Sequence, residues 1–169
     1  MSKAVTYYNA AARGKRSRDA GVFWEGIIET ACLYYRQEGL AEITKTPEPM
    51  RPLSRPNSKG QFTACFTKQA QPDYKGTLKG GRAVVFEAKH TDADRMQRSV
   101  ISEEQEKQLN RHQNLGAECF VLVSFGLQQF YRIPWEIFRD MKDHFGRKYI
   151  TPDDLIDYKI AYIGILRFL

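Results

Sequence analysis

The stretch PDYKGTLKGGRAVVFEAKH, residues 72–90, decides how the chain is read. Val84, Val85 and Phe86 form an apolar run bound for a core, yet Glu87 and Lys89 follow directly in the same strand. Alternate side chains of a strand share a face. Glu87 and Lys89 therefore point one way and Phe86 and Ala88 the other, so the strand has a chemical face and a core face. The Gly80-Gly81 pair ahead of it signals a hairpin with strands over about 73–78 and 82–89. A three-residue turn, Lys79-Gly80-Gly81, pairs Leu78 with Arg82 and sets Asp73 opposite Glu87 on the chemical face. A two-residue turn at Gly80-Gly81 shifts the register by one and turns Asp73 away. Three-residue loops with a left-handed glycine are common, so the first register is expected.

Two carboxylates held close together repel each other unless a cation sits between them. Magnesium takes oxygen ligands, keeps several waters and needs only one or two protein carboxylates. Lys89 is then placed to orient or deprotonate an attacking water and to offset charge on a pentavalent phosphate. The grouping suits hydrolysis of a phosphodiester. An isolated E-x-K is frequent by chance; here it ends an apolar strand and has a Pro-Asp across a glycine turn, which makes it specific.

Upstream, DAGVFWEGIIETACLYYRQEG places Phe23, Ile27, Ile28, Ala31, Tyr34 and Tyr35 at helical spacing. It predicts a helix over about 20–38 with Asp19 as N-cap and Gly39 as stop. LAEITKT alternates like a strand. Pro47, Pro49, Pro52 and Pro56 then exclude a central strand or regular helix. The segment of about 47–60 is expected to be a projecting loop or stalk carrying Arg51, Arg55 and Lys59, with a strand resuming at QFTACFT. Downstream, SEEQEKQLNRHQNLG reads as a helix with Ser102 as cap. AECFVLVSF reads as a buried strand and QQFYRI as its partner. A helix opening at Pro134, a short capped helix at TPDDLIDY and a closing strand or docked tail complete the order. The pattern predicts an α/β protein with a mixed central sheet flanked by helices.

A length of 169 residues suits one domain, and 42% hydrophobic with 27% charged residues excludes a disordered chain. Residues 1–18 contain Lys3, Arg13, Lys15, Arg16 and Arg18 and no acid, which places +5 of the net charge of +6 in an N-terminal region. This region is expected to be a flexible basic arm ahead of a single domain at 19–169. Such an arm can bind nucleic-acid phosphates or simply be solvated. Cys32, Cys65 and Cys119 lack any C-x-x-C pairing and read as buried thiols in a reducing compartment. His90, His112 and His144 have no metal-ligand spacing. Trp24, Tyr34, Tyr35 and Trp135 read as core or interface residues rather than base-stacking platforms. No membrane-spanning run is present, and a cytoplasmic location is expected.

The Pro72-Asp73 and Glu87-Ala88-Lys89 pair resembles the PD...(D/E)xK signature of restriction-endonuclease-like nucleases. WEGIIETACLYYRQEGLAEITKTPEP, PDYKGTLKGGRAVVFEAKHT and GAECFVLVSF...QQFYRIP are similar, in order and spacing, to RecU-type Holliday junction resolvases over about residues 19–138. The resemblance implies a restriction-endonuclease-like sheet interrupted by a stalk, a homodimer, magnesium or manganese as cofactor, and four-way DNA junctions as substrate. It assigns metal binding to Asp73, Glu87 and the Ala88 carbonyl, and catalytic roles to Lys89, Glu25 and Gln105. Arg13, Lys15, Arg16, Arg18, Arg51, Arg55 and Lys59 are the expected DNA contacts, and other recombination proteins are candidate partners. This chain has Glu104 where the family commonly has His, and Gln71 where Thr or Ser is typical. The function expected is a structure-selective endodeoxyribonuclease making paired nicks in recombination and repair. The alternatives are a related nuclease acting on another DNA structure and a non-catalytic junction-binding protein.

Overall fold

The structure, a computed structural model, describes residues 3–67 and 71–169, with side chains described from Lys15 onward apart from Arg16 and Ser17. Helix α1 spans Lys3–Gln37. It begins well before the expected start near 20, because the alanines and long basic residues ahead of Asp19 are good helix formers. The stretch expected as a separate arm is thus helical backbone from Lys3 onward, and Asp19 lies inside the helix rather than at its cap. The buried stripe of α1 is Trp24, Ile28, Ala31, Cys32 and Tyr35, one face at helical spacing. Phe23, expected on that stripe, is one residue out of phase and exposed. Gly39 ends the helix in the left-handed region as expected (φ 64°).

Strand β1 (Ala41–Lys45) leads into the proline-rich segment. There β2 (Met50–Pro52) and β3 (Ala64–Phe66) pair only with each other, as a small antiparallel ladder. Pro52 lacks a donor and is confined to such an edge. QFTACFT therefore does not rejoin the main sheet. Strands β4 (Tyr74–Leu78) and β5 (Ala83–Thr91) form the predicted hairpin. Leu78 N–H donates to the Arg82 carbonyl at 2.8 Å, and Tyr74 pairs with Phe86. Gly80 and Gly81 have φ of 95° and 90°, which side-chain-bearing residues rarely adopt, so the pair fixes the three-residue turn and with it the register.

After a short β6 (Met96–Gln97), helix α2 (Glu103–Asn114) crosses to β7 (Glu118–Phe125), which lies parallel to β5. β8 (Gln129–Pro134) returns antiparallel. The main sheet has the order β1-β4-β5-β7-β8, the mixed sheet expected. The next helix is divided into α3 (Trp135–Arg139) and α4 (Met141–Phe145) where Asp140 leaves helical dihedrals, and Pro134 is its N-cap rather than its first residue. A two-residue β9 (Tyr149–Ile150) pairs with β6, and Pro152–Tyr158 forms a 3-10 helix. The C-terminal segment is a docked tail, with Leu166 and Phe168 buried.

The sheet separates two apolar layers. On one side, α1 and the tail cover Tyr74, Phe86 and Phe120, whose rings stack across three strands at 4.8 and 4.7 Å. Full burial of a ring such as Phe86 contributes ~2–3 kcal/mol. On the other side, α2, α3 and α4 cover Val85, Val121 and Val123. Trp24, Tyr35 and Trp135 are core residues, as expected. The three cysteines are free; Cys32 and Cys119 are buried, but Cys65 lies half-exposed on β3, outside both layers. Among the described residues, no helix is long and apolar enough to cross a membrane.

Candidate active site

Glu87 and Lys89 occupy the second half of β5 on the face covered by α2, where their parallel neighbours are Val121 and Val123. Asp73 precedes β4, and its carbonyl accepts from Thr46 N–H at 2.8 Å. The expected register brings these groups together. Asp73 Oδ2 accepts from Ala88 N–H at 2.9 Å and from Lys89 Nζ at 3.3 Å. Lys89 Nζ also donates to Glu87 Oε2 at 2.7 Å, so one ammonium bridges both carboxylates. Gln105, in the first turn of α2, donates its Nε2 to the same Glu87 oxygen at 2.5 Å.

Glu87 is 0% exposed. Burial pushes its pKa up to about 8; Lys89 pulls it down and Asp73 adds to the rise. Burial by itself disfavours the Lys89 ammonium, but Glu87 and Asp73 outweigh it and raise the Lys89 pKa. Lys89 is therefore a proton-bearing donor in this arrangement rather than a free base. Glu87 Oε1 is buried and has no hydrogen-bond partner. An unsatisfied oxygen on a buried carboxylate is unfavourable unless a proton or a metal cation meets it.

Those features fit a hard divalent metal. In extended chain the N–H and C=O of one residue emerge on the same side, so the Ala88 carbonyl lies toward Asp73. Two carboxylates and a main-chain oxygen are the kind of limited donor set that magnesium or manganese completes with water and phosphate. Among the described residues no group of three or more His, Cys, Asp or Glu side chains is placed to hold a metal. His90 instead bridges Ser124 and Asp92, both at 3.2 Å.

A cleft of about 460 Å³ opens beside Asp73, lined also by Glu25, Gln105, Lys45, Thr46 and Gln71. Glu25 reaches this cleft from α1 but is ion-paired with Lys45 at 2.6 Å. Lys45 and Thr46 escaped sequence reasoning. They arrive because β1 pairs with β4, a contact made across the whole stalk that leaves no local pattern. Arg51, Arg55 and Lys59 are exposed on the stalk, away from the carboxylates in sequence, and Lys15 and Arg18 are exposed on α1. The side chains of Arg13 and Arg16 lie outside the described residues.

The chain is similar to known proteins, among them two Holliday junction resolvases. The 1.6 Å structure of Hjc, a Holliday junction resolvase from Archaeoglobus fulgidus, superposes with a TM-score of 0.46 at 14% identity, over 75% of this chain and 88% of that one. The Holliday junction resolvase RecU of Streptococcus gordonii strain Challis is 31% identical over 120 residues, which is 68% of this chain. The chain spans 60% of that relative's length. The sequence model of recombination protein U matches residues 19–167, which include all of the main sheet, and the chain belongs to the RecU family.

Proposed function

We propose that the protein is a magnesium-dependent, structure-selective endodeoxyribonuclease that resolves four-way DNA junctions as a homodimer, with manganese able to substitute. The observation that carries this reading is the bridged pair Asp73 and Glu87, with Glu87 Oε1 buried and unpartnered beside the Lys89 ammonium. Membership of the RecU family and a relative named as a Holliday junction resolvase support it. A divalent ion held by Asp73, Glu87 and the Ala88 carbonyl would supply Lewis-acid stabilisation and a more acidic water.

The chain's own residues do the rest. Lys89 donates to the attacking water or to a phosphate oxygen and offsets the charge that develops there. Gln105 and Lys89 together hold Glu87 by one oxygen. Glu25 and Lys45 line the approach to Asp73. Arg51, Arg55 and Lys59 on the stalk, with the basic residues of α1 (Arg13, Lys15, Arg16 and Arg18), contact backbone phosphates without reading sequence. A twofold dimer suits a junction that needs paired, symmetric nicks. The work of such an enzyme, in recombination and repair, lies in the cytoplasm alongside other recombination proteins.

The test compares a synthetic four-way junction, a flap and a linear duplex at one fixed salt, with and without Mg2+, and sedimentation establishes the oligomeric state. Wild type cuts the junction in Mg2+, while Asp73→Asn and Lys89→Ala bind it in Ca2+ but do not cut. Persistent Mg2+-dependent cutting by either purified variant overturns the assignment. Preferential cutting of flap or duplex makes the protein a related nuclease with another substrate. Binding without cutting, in both Mg2+ and Mn2+, makes it a non-catalytic junction binder.

A further inference from the structure

The two oxygens of Glu87 are treated unequally: Oε2 takes both Lys89 and Gln105, and Oε1 takes nothing. What enforces this lies at the N-terminus of α2. Ser102 and Gln105 form a capping box, in which Ser102 Oγ accepts from Gln105 N–H at 3.2 Å and Gln105 Oε1 accepts from Ser102 N–H at 3.1 Å. A side-chain amide has one accepting end and one donating end. A main-chain N–H can only donate, so it requires the oxygen of Gln105 and sends the NH2 toward Glu87. Reversed, the amide would set an oxygen against a buried carboxylate and leave the Ser102 N–H unpaired. A helix cap, usually a matter of local stability, here also sets the polarity of a contact to a carboxylate of the site.

We propose that Ser102 is a positioning residue: through its cap it fixes the amide of Gln105, which holds Glu87 by Oε2 and leaves Oε1 without a partner, available to a cation. The inference rests on the metal-site reading given above. Neither hydrogen bond of the capping box touches substrate or metal, the Ser102 carbonyl accepts only from Glu106 N–H, and the side chain is solvent-exposed at the start of the helix. Its effect passes entirely through Gln105.

Backbone geometry supplies a selective variant. Ser102 has φ −71° and ψ 162°, and Ile101 before it has φ −97° and ψ 120°. Proline fits at 102, and the residue before it already has a conformation compatible with proline. Ser102→Pro thus deletes both halves of the box without backbone strain, Ser102→Ala deletes only the hydroxyl half, and Ser102→Thr keeps both. The control is Thr151→Ala, which weakens the capping box of the 3-10 helix at the other end of the chain.

The protein is titrated with Mn2+ alone, followed by electron paramagnetic resonance, and the Gln105 side-chain NH2 is followed by NMR in metal-free protein. Ser102→Pro weakens Mn2+ binding roughly tenfold, within the range for residues that orient metal ligands. It also shifts the Gln105 NH2 signal and its exchange protection. Ser102→Ala has the smaller effect of the same sign; Ser102→Thr and Thr151→Ala bind Mn2+ as wild type does. With junction substrate, Ser102→Pro raises the Mg2+ concentration for half-maximal cutting while kcat at saturating Mg2+ is retained. Wild-type Mn2+ affinity in Ser102→Pro, together with lost binding in Asp73→Asn, overturns the positioning role and leaves the metal site standing. Undiminished Mn2+ binding in Asp73→Asn overturns the metal-site reading itself.

Discussion

Replacing Glu87 with Gln separates what the carboxylate costs the fold from what it binds. The side chain is wholly buried, and its pKa stands at about 8 rather than 4.5 because burial outweighs the pull of Lys89. Between those values the folded protein keeps a proton that the unfolded chain has released. The stability associated with that proton is complete below pH 4.5 and is lost as pH rises through about 8. At ~1.4 kcal/mol per pH unit, the interval amounts to something on the order of 5 kcal/mol. Lys89, its pKa raised by Glu87 and Asp73 against the effect of burial, holds its charge throughout this window. Gln keeps the shape and an acceptor for Lys89 but cannot ionise. Urea denaturation in EDTA, at steps from about pH 5 to 8.5, should show the stability of Glu87→Gln rising relative to wild type by ~3–5 kcal/mol across the series. Adding Mg2+ at about pH 8 should stabilise wild type and not the variant, because a ligand that binds only the native state shifts the equilibrium toward it. Parallel pH curves for the two proteins would refute the reasoning, since Glu87 would then ionise in the metal-free site without penalty.

The stalk cations carry a salt-dependence prediction. Changing Arg51, Arg55 and Lys59 together to Ala should weaken junction binding and flatten the slope of log Kd against log salt by about 3, read by fluorescence anisotropy in Ca2+. An unchanged slope would remove the stalk from the DNA contacts. Gly76 of β4 pairs with Ile43 of β1, and a Cβ there would lie 2.1 Å from the Glu42 carbonyl oxygen and 2.7 Å from Ile43 Cα. Gly76→Ala should therefore lift β1 off the sheet at a cost of ~3 kcal/mol or more, and chemical denaturation equal to wild type would contradict it. Tyr35 Oη accepts from the N–H groups of Phe168 and Leu169 at 2.7 and 3.1 Å and donates to the Leu166 carbonyl at 3.2 Å. Tyr35→Phe strands a buried N–H, so ~1–3 kcal/mol is lost, with hydrogen exchange accelerating first in the tail.

Asp73, Glu87 and Lys89 were legible because a hairpin is local: the Gly80-Gly81 turn fixes register, and register fixes which side chains share a face. The same logic explains what was not legible. Thr46 and Lys45 reach the cleft through the pairing of β1 with β4, set by contacts on the far side of the stalk. Phe23 and Trp24 differ by one position, and propensity cannot decide which of two adjacent aromatics faces the sheet; packing of Trp24 on Phe130 at 5.3 Å does. The start of α1 failed for a related reason. Basic, alanine-rich residues read as a solvated arm by charge and as helix by propensity, and in the backbone propensity prevails. Gln105 is the instructive case. A polar residue in a polar helix has no periodic signature, and Ser102 three residues earlier signals only a cap. Together with a buried carboxylate on the strand that α2 covers, those two ordinary features become a directed contact: the cap decides which end of the amide faces Glu87, and hence which oxygen of Glu87 remains free. Where a polar residue serves both a helix terminus and a neighbouring strand, its role follows from the atom left unsatisfied after both have been served.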